Sequence, residues 1–450
     1  MEPKFQHSPT PESPRSNKTL IKGMITGILI LLMMIPTLFI INLVEEREKR
    51  QQEVVAEVSN KWATAQTLTG PYIMVPYMEN YIGNDNKVIT ARKSVMLIPE
   101  EIKVDGTIDH QERKRSIYTV LLYRSNLNST GHFKIQPPSD IDPEKLLLNE
   151  AKLCIGLTDF KGIEEKITIN FNGKPYDLSP GLPSSGDGNA IGLSASIPLT
   201  AKDLNIALPF KYNLKLKGSQ QLSFVSLSGD SRFNLSGKWH SPSFDGITLP
   251  TDRDVSKAGF TATWNFNKAN LPFNAFMKDF KMDVNDYSFG VTMLQPADQY
   301  SKTMRSVKYA ILIIGLTFSL FFIIELMQNR PVHPVQYVLV GLALVIFYTL
   351  LLSISEFINF DFAYIIAAGA IISLITLYAK SHFQSWKVAT VFALVLGMLY
   401  SFIFVLIRLE DTALLVGSIG LFIVLALVMY ASRKINWYNP TFTKVTVETV

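Results

Sequence analysis

Six histidines and one cysteine are the side chains best suited to metal or nucleophile chemistry: His7, His110, His132, His240, His333, His382 and Cys154. They are scattered through the chain. No two histidines stand at HxxxH spacing and none joins Cys154 in a zinc pattern, so neither a metal nor a cofactor is expected. A GxSxG elbow, a phosphate-cradling GxxxxGKS/T loop and a dinucleotide GxGxxG are also absent from the sequence. Residues 181–192 are Gly-rich but lack a strand-to-helix context and read as a loop. Cys154, inside the apolar stretch AKLCIGL, reads as a buried core thiol. Asp252, Asp254 and Asp283 would serve an enzyme only if folding clustered them, and their spacing supplies no such geometry. Within the longest apolar runs one acid stands out, Glu325. An ionisable group in a membrane span is a functional position by default. About 17 residues past Lys308, at roughly 1.5 Å each, Glu325 falls near the end of a crossing rather than at its middle. An anchoring ion pair with Arg330 or Lys434 is therefore the expectation. Glu356, Asp411 and Arg408 read as solvated interfacial charges. The lack of a midplane carboxylate or of paired broken helices argues against an ion-coupled transporter.

The elements that must carry these groups are five apolar runs, residues 309–327, 334–355, 362–379, 388–407 and 412–432. About 20 apolar residues cross roughly 30 Å of hydrocarbon as a helix, and these runs lack the alternation of barrel strands. A sixth run, residues 20–44, is long for a secretory signal and has no small-residue cleavage site, so it reads as a retained first helix. Pro36 is expected to kink it. Gly23 and Gly27 would let a neighbouring helix approach, as would Gly417 beside Ala413 and Gly369 beside Ser373. Val54, Val58, Trp62 and Ala65 then line one helical face. They extend the first helix as a stalk, or as a helix packed on the next domain, until Gly70 and Pro71 stop it.

From Pro71 to Asn285 the period changes. Short β-branched and aromatic stretches recur at 116–123, 151–157, 166–171, 210–216, 222–227, 232–239, 259–266 and 287–294. Phe210, Tyr212, Leu214 and Leu216 alternate with Lys211, Asn213, Lys215 and Lys217, which puts one face on a core and the other in water, as antiparallel sheets permit. Turns are predicted at 172–174 and 229–230, and one helix over 143–152 with Asp142 as its cap. The region reads as one large sandwich-like β domain, or two smaller ones.

Composition agrees. The chain has 450 residues, 48% hydrophobic and 18% charged, with a formal net charge of +5, and its mean hydropathy is +0.19. It is too apolar for an ordinary soluble protein and too charged to be all membrane. Its basic residues are not banded, so nucleic acid is not an expected partner, and one cysteine cannot form an intramolecular disulfide. Lys4, Arg15, Lys18, Lys22, Arg330, Lys380, Lys387, Arg433 and Lys434 fall on one side of six alternating spans. Glu356, Asp361, Arg408, Glu410 and Asp411 fall on the other. Positive residues favour the cytoplasm, which places both termini inside and the β domain outside, in the periplasm of a bacterium. Arg47, Lys49 and Arg50, with Lys302, Arg305 and Lys308, run against this rule at the outer ends.

The run PADQYSKTMRSVKYAILIIGLTFSLFFIIELMQNRPVHPVQYVLVGLALVIFYTLLLSISE, residues 296–356, resembles the signature of the CreD family. So do GPYIMVPY from Gly70, LSGKWHSPSFDG from Leu235, DTALLVGSIGLF from Asp411 and INWY from Ile435. The resemblance implies a bacterial inner-membrane protein linked to cell-envelope integrity, associated with a CreB/CreC-type two-component system and colicin tolerance, with no catalytic motif to carry over. The expected fold is thus a membrane α-helical bundle of six transmembrane helices plus a large β-rich periplasmic domain between helices 1 and 2. The expected boundaries are a disordered cytoplasmic tail at 1–19, helix 1 at 20–44, the β-rich domain with its stalk at 45–307, a five-helix bundle at 308–432 and a cytoplasmic tail at 433–450. The expected role is structural or partner-binding and non-enzymatic. Its partners are the lipid bilayer and a periplasmic envelope component or protein. The alternatives are a transporter or lipid-handling membrane protein, and a periplasmic enzyme on a β scaffold. Gly70, Pro71, Pro296, Asp298, Tyr300, Lys308, Glu325, His333, Gln336, Tyr337, Glu356 and Asp411 are the candidate functional or coupling positions, and residues 296–308 are expected to couple domain and bundle.

Overall fold

The computed structural model describes residues 16–82, 88–136, 141–183, 191–270, 276–278, 284–293, 299–328, 330–409 and 412–432. The chain divides into two compact units, Gln51–Pro296 and the pair of segments Met1–Arg50 and Ala297–Val450.

The first helix, α1, runs unbroken over Ser16–Trp62, through Pro36. The apolar run and the stalk are one element. Gly70 and Pro71 do not stop it. It ends eight residues before Gly70, where long-range partners replace helical ones: Asp159 accepts from the Thr64 backbone N–H at 3.1 Å, and the Gln66 amide donates to the Asp159 carbonyl at 2.9 Å. Gln66 then opens a strand, Gln66–Ile82, that contains both Gly70 and Pro71. Gly70 has φ +99°, and a Cβ there would come within 2.9 Å of the Tyr72 ring. Only glycine suits that backbone at the irregularity in pairing between Thr69 and Tyr72.

Unit Gln51–Pro296 holds two sheets. In one, the order is Pro242–Gly246, Ser288–Met293, Gln221–Val225, Gln66–Ile82, Lys152–Gly156, Gly192–Ser196 and Ser179–Pro180, with Val88–Leu97 branching from Gln66–Ile82 and Phe276–Lys278 pairing in turn with Val88–Leu97. In the other it is Asp252–Ser256, Gly259–Phe266, Asp230–Gly237, Glu101–Arg115, Tyr118–Lys134, Ala207–Ser219, Thr168–Phe171 and Lys174–Asp177. Ala207–Ser219 is antiparallel to both its neighbours, as its alternation permits, while two pairs are parallel, Gln66–Ile82 with Gln221–Val225 and Glu101–Arg115 with Asp230–Gly237. Both sheets feed one core: Phe224 and Phe289 of the first meet Phe233, Trp264 and Phe266 of the second at ring distances down to 4.7 Å. Lys211 and Lys215 are exposed and Asn213 and Lys217 half-buried, while Phe210, Tyr212, Leu214 and Leu216 are buried. The turn at 172–174 is present, with Asn172 and Gly173 at positive φ. The α-helix expected over 143–152 is instead two 3-10 turns, Pro143–Lys145 and Leu148–Glu150. Asp142 does cap the first of them. Leu146 bridges to Tyr77 and the Leu147 N–H goes to the Pro76 carbonyl at 2.8 Å, so sheet partners take the groups an α-helix would have used.

The other unit is a bundle of the first part of α1 with α2 (Gln299–Lys308), α3 (Ala310–Gln328), α4 (Pro334–Ser355), α5 (Phe360–Phe383), α6 (Trp386–Arg408) and α7 (Ala413–Ser432). Among the described residues α1, α3, α4, α5 and α6 are long and apolar enough to cross a membrane, and α7 holds a shorter described apolar stretch, Ala413–Ile423. Aromatic rings fill the interior: Phe321 lies 4.3 Å from Phe392 and Phe347 4.8 Å from Tyr400. Outward, Leu31, Phe39, Phe362 and Leu414 are each more than 60% exposed. Apolar surface on that scale is stable against lipid rather than water. The expected packing glycines divide: a Cβ at Gly23 would meet the Phe322 ring of α3 at 3.7 Å, an ordinary contact between helices. A Cβ at Gly27 or Gly369 would meet nothing within 4 Å, and one at Gly417 only Leu406 at 3.9 Å, whereas at Gly420 it would meet Phe402 at 2.1 Å and at Gly341 the Met33 side chain at 2.6 Å.

Candidate functional site

Two clusters of charged and polar side chains are built into the bundle among the described residues. The first surrounds Glu325, which is 5% exposed near the C-terminal end of α3. Its Oε1 accepts from Lys22 Nζ at 2.6 Å and from the Val332 N–H at 3.0 Å, and its Oε2 accepts from the Tyr337 hydroxyl at 3.0 Å. The partner is Lys22 of α1, not Arg330, and Lys434 lies outside the described residues. Arg330 instead donates to the His382 carbonyl at 3.5 Å. Local sequence explains the arrangement. Pro334 at the first turn of α4 and His333 as its cap fix the start of that helix: His333 Nδ1 accepts from the Val335 N–H and Gln336 Oε1 accepts from the His333 N–H, a capping box. That leaves the Val332 N–H and Tyr337 pointing at the end of α3. Gln336 Nε2 also lies 3.1 Å from His382 Nδ1, and His382 Nε2 is buried without a partner among the described residues. Four of the expected positions, Glu325, His333, Gln336 and Tyr337, thus meet in one place, joined by Lys22, Val332 and His382. Chemically this is an anchor. Three donors, one of them a cation, occupy most of a carboxylate's acceptor capacity.

The second cluster centres on Glu356, the C-cap of α4. The expectation of a solvated charge is corrected: its side chain is 9% exposed. The hydroxyl of Tyr300, itself fully buried, donates to Glu356 Oε1 at 3.2 Å, and Arg47 Nε stands 3.9 Å from the same oxygen. Around it α2 touches each neighbouring helix through a different residue. Tyr300 reaches α4, Lys302 lies over the Phe360 ring of α5 at 5.6 Å, and Arg305 donates to the Ile407 carbonyl of α6 at 3.5 Å. Asp361 pairs with Arg408, so Arg408 too is partnered. Lys308 is apart from this network, exposed beside an apolar crevice. Pro296, Asp298 and Asp411 lie outside the described residues.

Lys22 and Arg47 are the residues that sequence reasoning missed. Each ends an apolar run, which is the one signal that marks them, but their partners are hundreds of residues away. They are about 37 Å apart along α1 at roughly 1.5 Å per residue, and each meets a buried carboxylate.

In the β unit Cys154 is fully buried, and burial pushes its thiol up to about 12. Asp252 and Asp254 lie exposed on an edge strand, while Asp283 is outside the described residues. Among the described residues no group of histidine, cysteine and carboxylates could hold a metal.

Apolar helices around an aromatic interior, ion pairs near the helix ends, and a two-sheet unit placed in the chain between the first apolar helix and the rest define a polytopic membrane protein with a large extramembrane domain. A family profile described as Inner membrane protein CreD matches residues 18–438. The chain belongs to the CreD family of inner-membrane proteins. It is 34% identical over 417 residues to the inner membrane protein CreD of Escherichia coli (strain K12), covering 91% of each chain. Among solved structures, the M1 zinc metallopeptidase of Deinococcus radiodurans aligns with 37% of this chain and 38% of its own at 11% identity and a TM-score of 0.18, too low to show a shared fold.

Proposed function

We propose that this protein supports cell-envelope integrity without catalysing a reaction, as a β-rich periplasmic domain held at the inner membrane by six spans with both termini in the cytoplasm. The observation that carries the reading is the large β unit inserted in a chain whose other half is built to stand in lipid. The topology is supported by the basic residues of the short inner connections, Arg330, Lys380 and Lys387, with Lys18 and Lys22 before the first span; the cations at the outer ends adjoin a long domain, and long domains cross largely regardless of such charge. Family membership supports the location. The sandwich core is closely packed: the cavity among Leu68, Tyr212, Phe224 and Phe233 has about 10 Å³, room for one water at most. Contact with an envelope partner would then use the domain's outer surface, where Ile247 and Leu249 are 50% and 65% exposed, and residues 296–308 would couple domain to bundle.

The test is photocrosslinking in living cells from Ile247 and Leu249, since Trp239 and Tyr300 are buried. Capture of a discrete envelope component supports the reading. No adduct from either exposed position, with adducts absent also from Val88, would end it. In the runner-up reading, a transporter or lipid-handling protein, Glu325→Gln would abolish function without lowering abundance.

A further inference from the structure

A crevice of about 360 Å³ opens in the bundle between α3, α6 and α7, walled by Ile311, Gly315, Phe402, Leu406, Gly417 and Leu421. Its volume lies in the range of small-ligand sites, about 300–1,000 Å³, but its wall is almost wholly hydrocarbon. At one end stands Lys308, exposed, with no carboxylate partner among the described residues. The neighbouring cations of α2 are engaged, Lys302 with Phe360 and Arg305 with the Ile407 carbonyl. Among the described residues Lys308 is thus the one cation of α2 with neither a ring nor a hydrogen-bond acceptor against it.

We propose that the crevice seats an acyl chain of an anionic phospholipid of the bilayer, with the lipid phosphate on the Lys308 ammonium. An apolar slot with a single cation at its mouth complements a molecule with a hydrocarbon chain and a negative head, and a Lys stem running along apolar surface delivers its charge to the interface. The glycines make the slot. A Cβ at Gly315 would meet nothing within 4 Å and one at Gly417 only the tip of Leu406, so the space beside them is open rather than closed by helix contact.

The inference rests on α3, α6 and α7 standing in the bilayer. A failure of that reading would appear in cysteine accessibility on cells and not in the experiment here, which uses the full-length protein in detergent. Native mass spectrometry is run while titrating phosphatidylglycerol or phosphatidylcholine of equal chain length. Phosphatidylglycerol should be retained about fivefold more strongly, the scale of one basic residue at a membrane surface. Lys308→Gln should erase that preference. Gly315→Phe, which fills the slot, should weaken retention of both lipids, while Gly369→Leu, a change into open space on α5, leaves binding as it was. Equal retention of the two lipids by the unmodified protein, a preference that survives Lys308→Gln, or binding indifferent to Gly315→Phe in a protein that melts normally would each overturn the proposal. So would a dimer that forms through these helices and excludes lipid.

Discussion

Glu325 and Lys22 form one ion pair, yet the two ends are not equivalent. Lys22 is 43% exposed along its side chain and Glu325 6%. Lys22→Gln leaves the Glu325 carboxylate buried without its cation, but the half-exposed site admits water and the Gln amide can still donate, so the loss should be about 1–3 kcal/mol. Glu325→Leu strands the Val332 N–H and the Tyr337 hydroxyl, at about 1–3 kcal/mol for each orphaned donor. Thermal denaturation of the full-length protein in detergent should rank Glu325→Leu below Lys22→Gln, and equal losses would show that the pair's charge, not the donors, carries the anchor. Cys154 makes a second prediction. Its folded thiol stays protonated up to about 12, above the unfolded value of about 8.5, and Tyr212 is likewise raised to about 12 by burial. A raised acid means that the folded state holds its proton longer. Stability is therefore complete below the unfolded value and falls as pH climbs towards about 12. Thiol reagents at pH 8 should leave Cys154 untouched until denaturant is added. That Cys154 is buried follows from its apolar neighbours in the sequence. That Glu325 pairs with Lys22 does not, because the choice among Lys22, Arg330 and Lys434 depends on which helix ends meet.

At the scale of elements, α6 and α7 approach where Gly420 faces Phe402, whereas Gly369 on α5 faces open space. Gly420→Leu should destabilise the bundle by roughly 1–3 kcal/mol, the scale of overpacking. Gly369→Leu should be neutral or mildly stabilising, since it removes glycine's helical penalty of about 1 kcal/mol. Melting curves of the two variants in detergent separate them, and a larger loss at Gly369 would refute the packing described. The helices were legible because twenty apolar residues have few other fates, but which glycine sits in a contact is a matter of rotation about the helix axis, and a one-turn spacing of small residues does not report it. Strands such as Ala207–Ser219 were legible from their alternation. Gln66–Ile82, paired on both sides and at its far end to Val88–Leu97, carries two prolines, Pro71 and Pro76, and no regular alternation, so its Gly70 and Pro71 read in sequence as a helix stop.

At the scale of the molecule, residues 51–296 have their own two-sheet core and should give a soluble fragment with a β-type circular dichroism spectrum and a cooperative melt; a fragment that stays unfolded would mean that the core needs the helices. The topology proposal is checked by Asp254→Cys on the exposed edge strand, which should react with an impermeant maleimide in cells with a permeabilised outer envelope, against a background kept low by the buried Cys154. By itself the sequence determined the division into lipid-facing helices and a β-rich insertion, because hydrophobic length and period are local properties that any solvent reads residue by residue. It also carried the family resemblance. Only the tertiary structure decided that the two sheets share one core, that α1 bears a charged side chain at each end of its apolar run for a buried carboxylate, and that α2 touches three helices with three residues. Those contacts join positions far apart in the chain, and their energies depend on geometry that no local pattern of residue types contains.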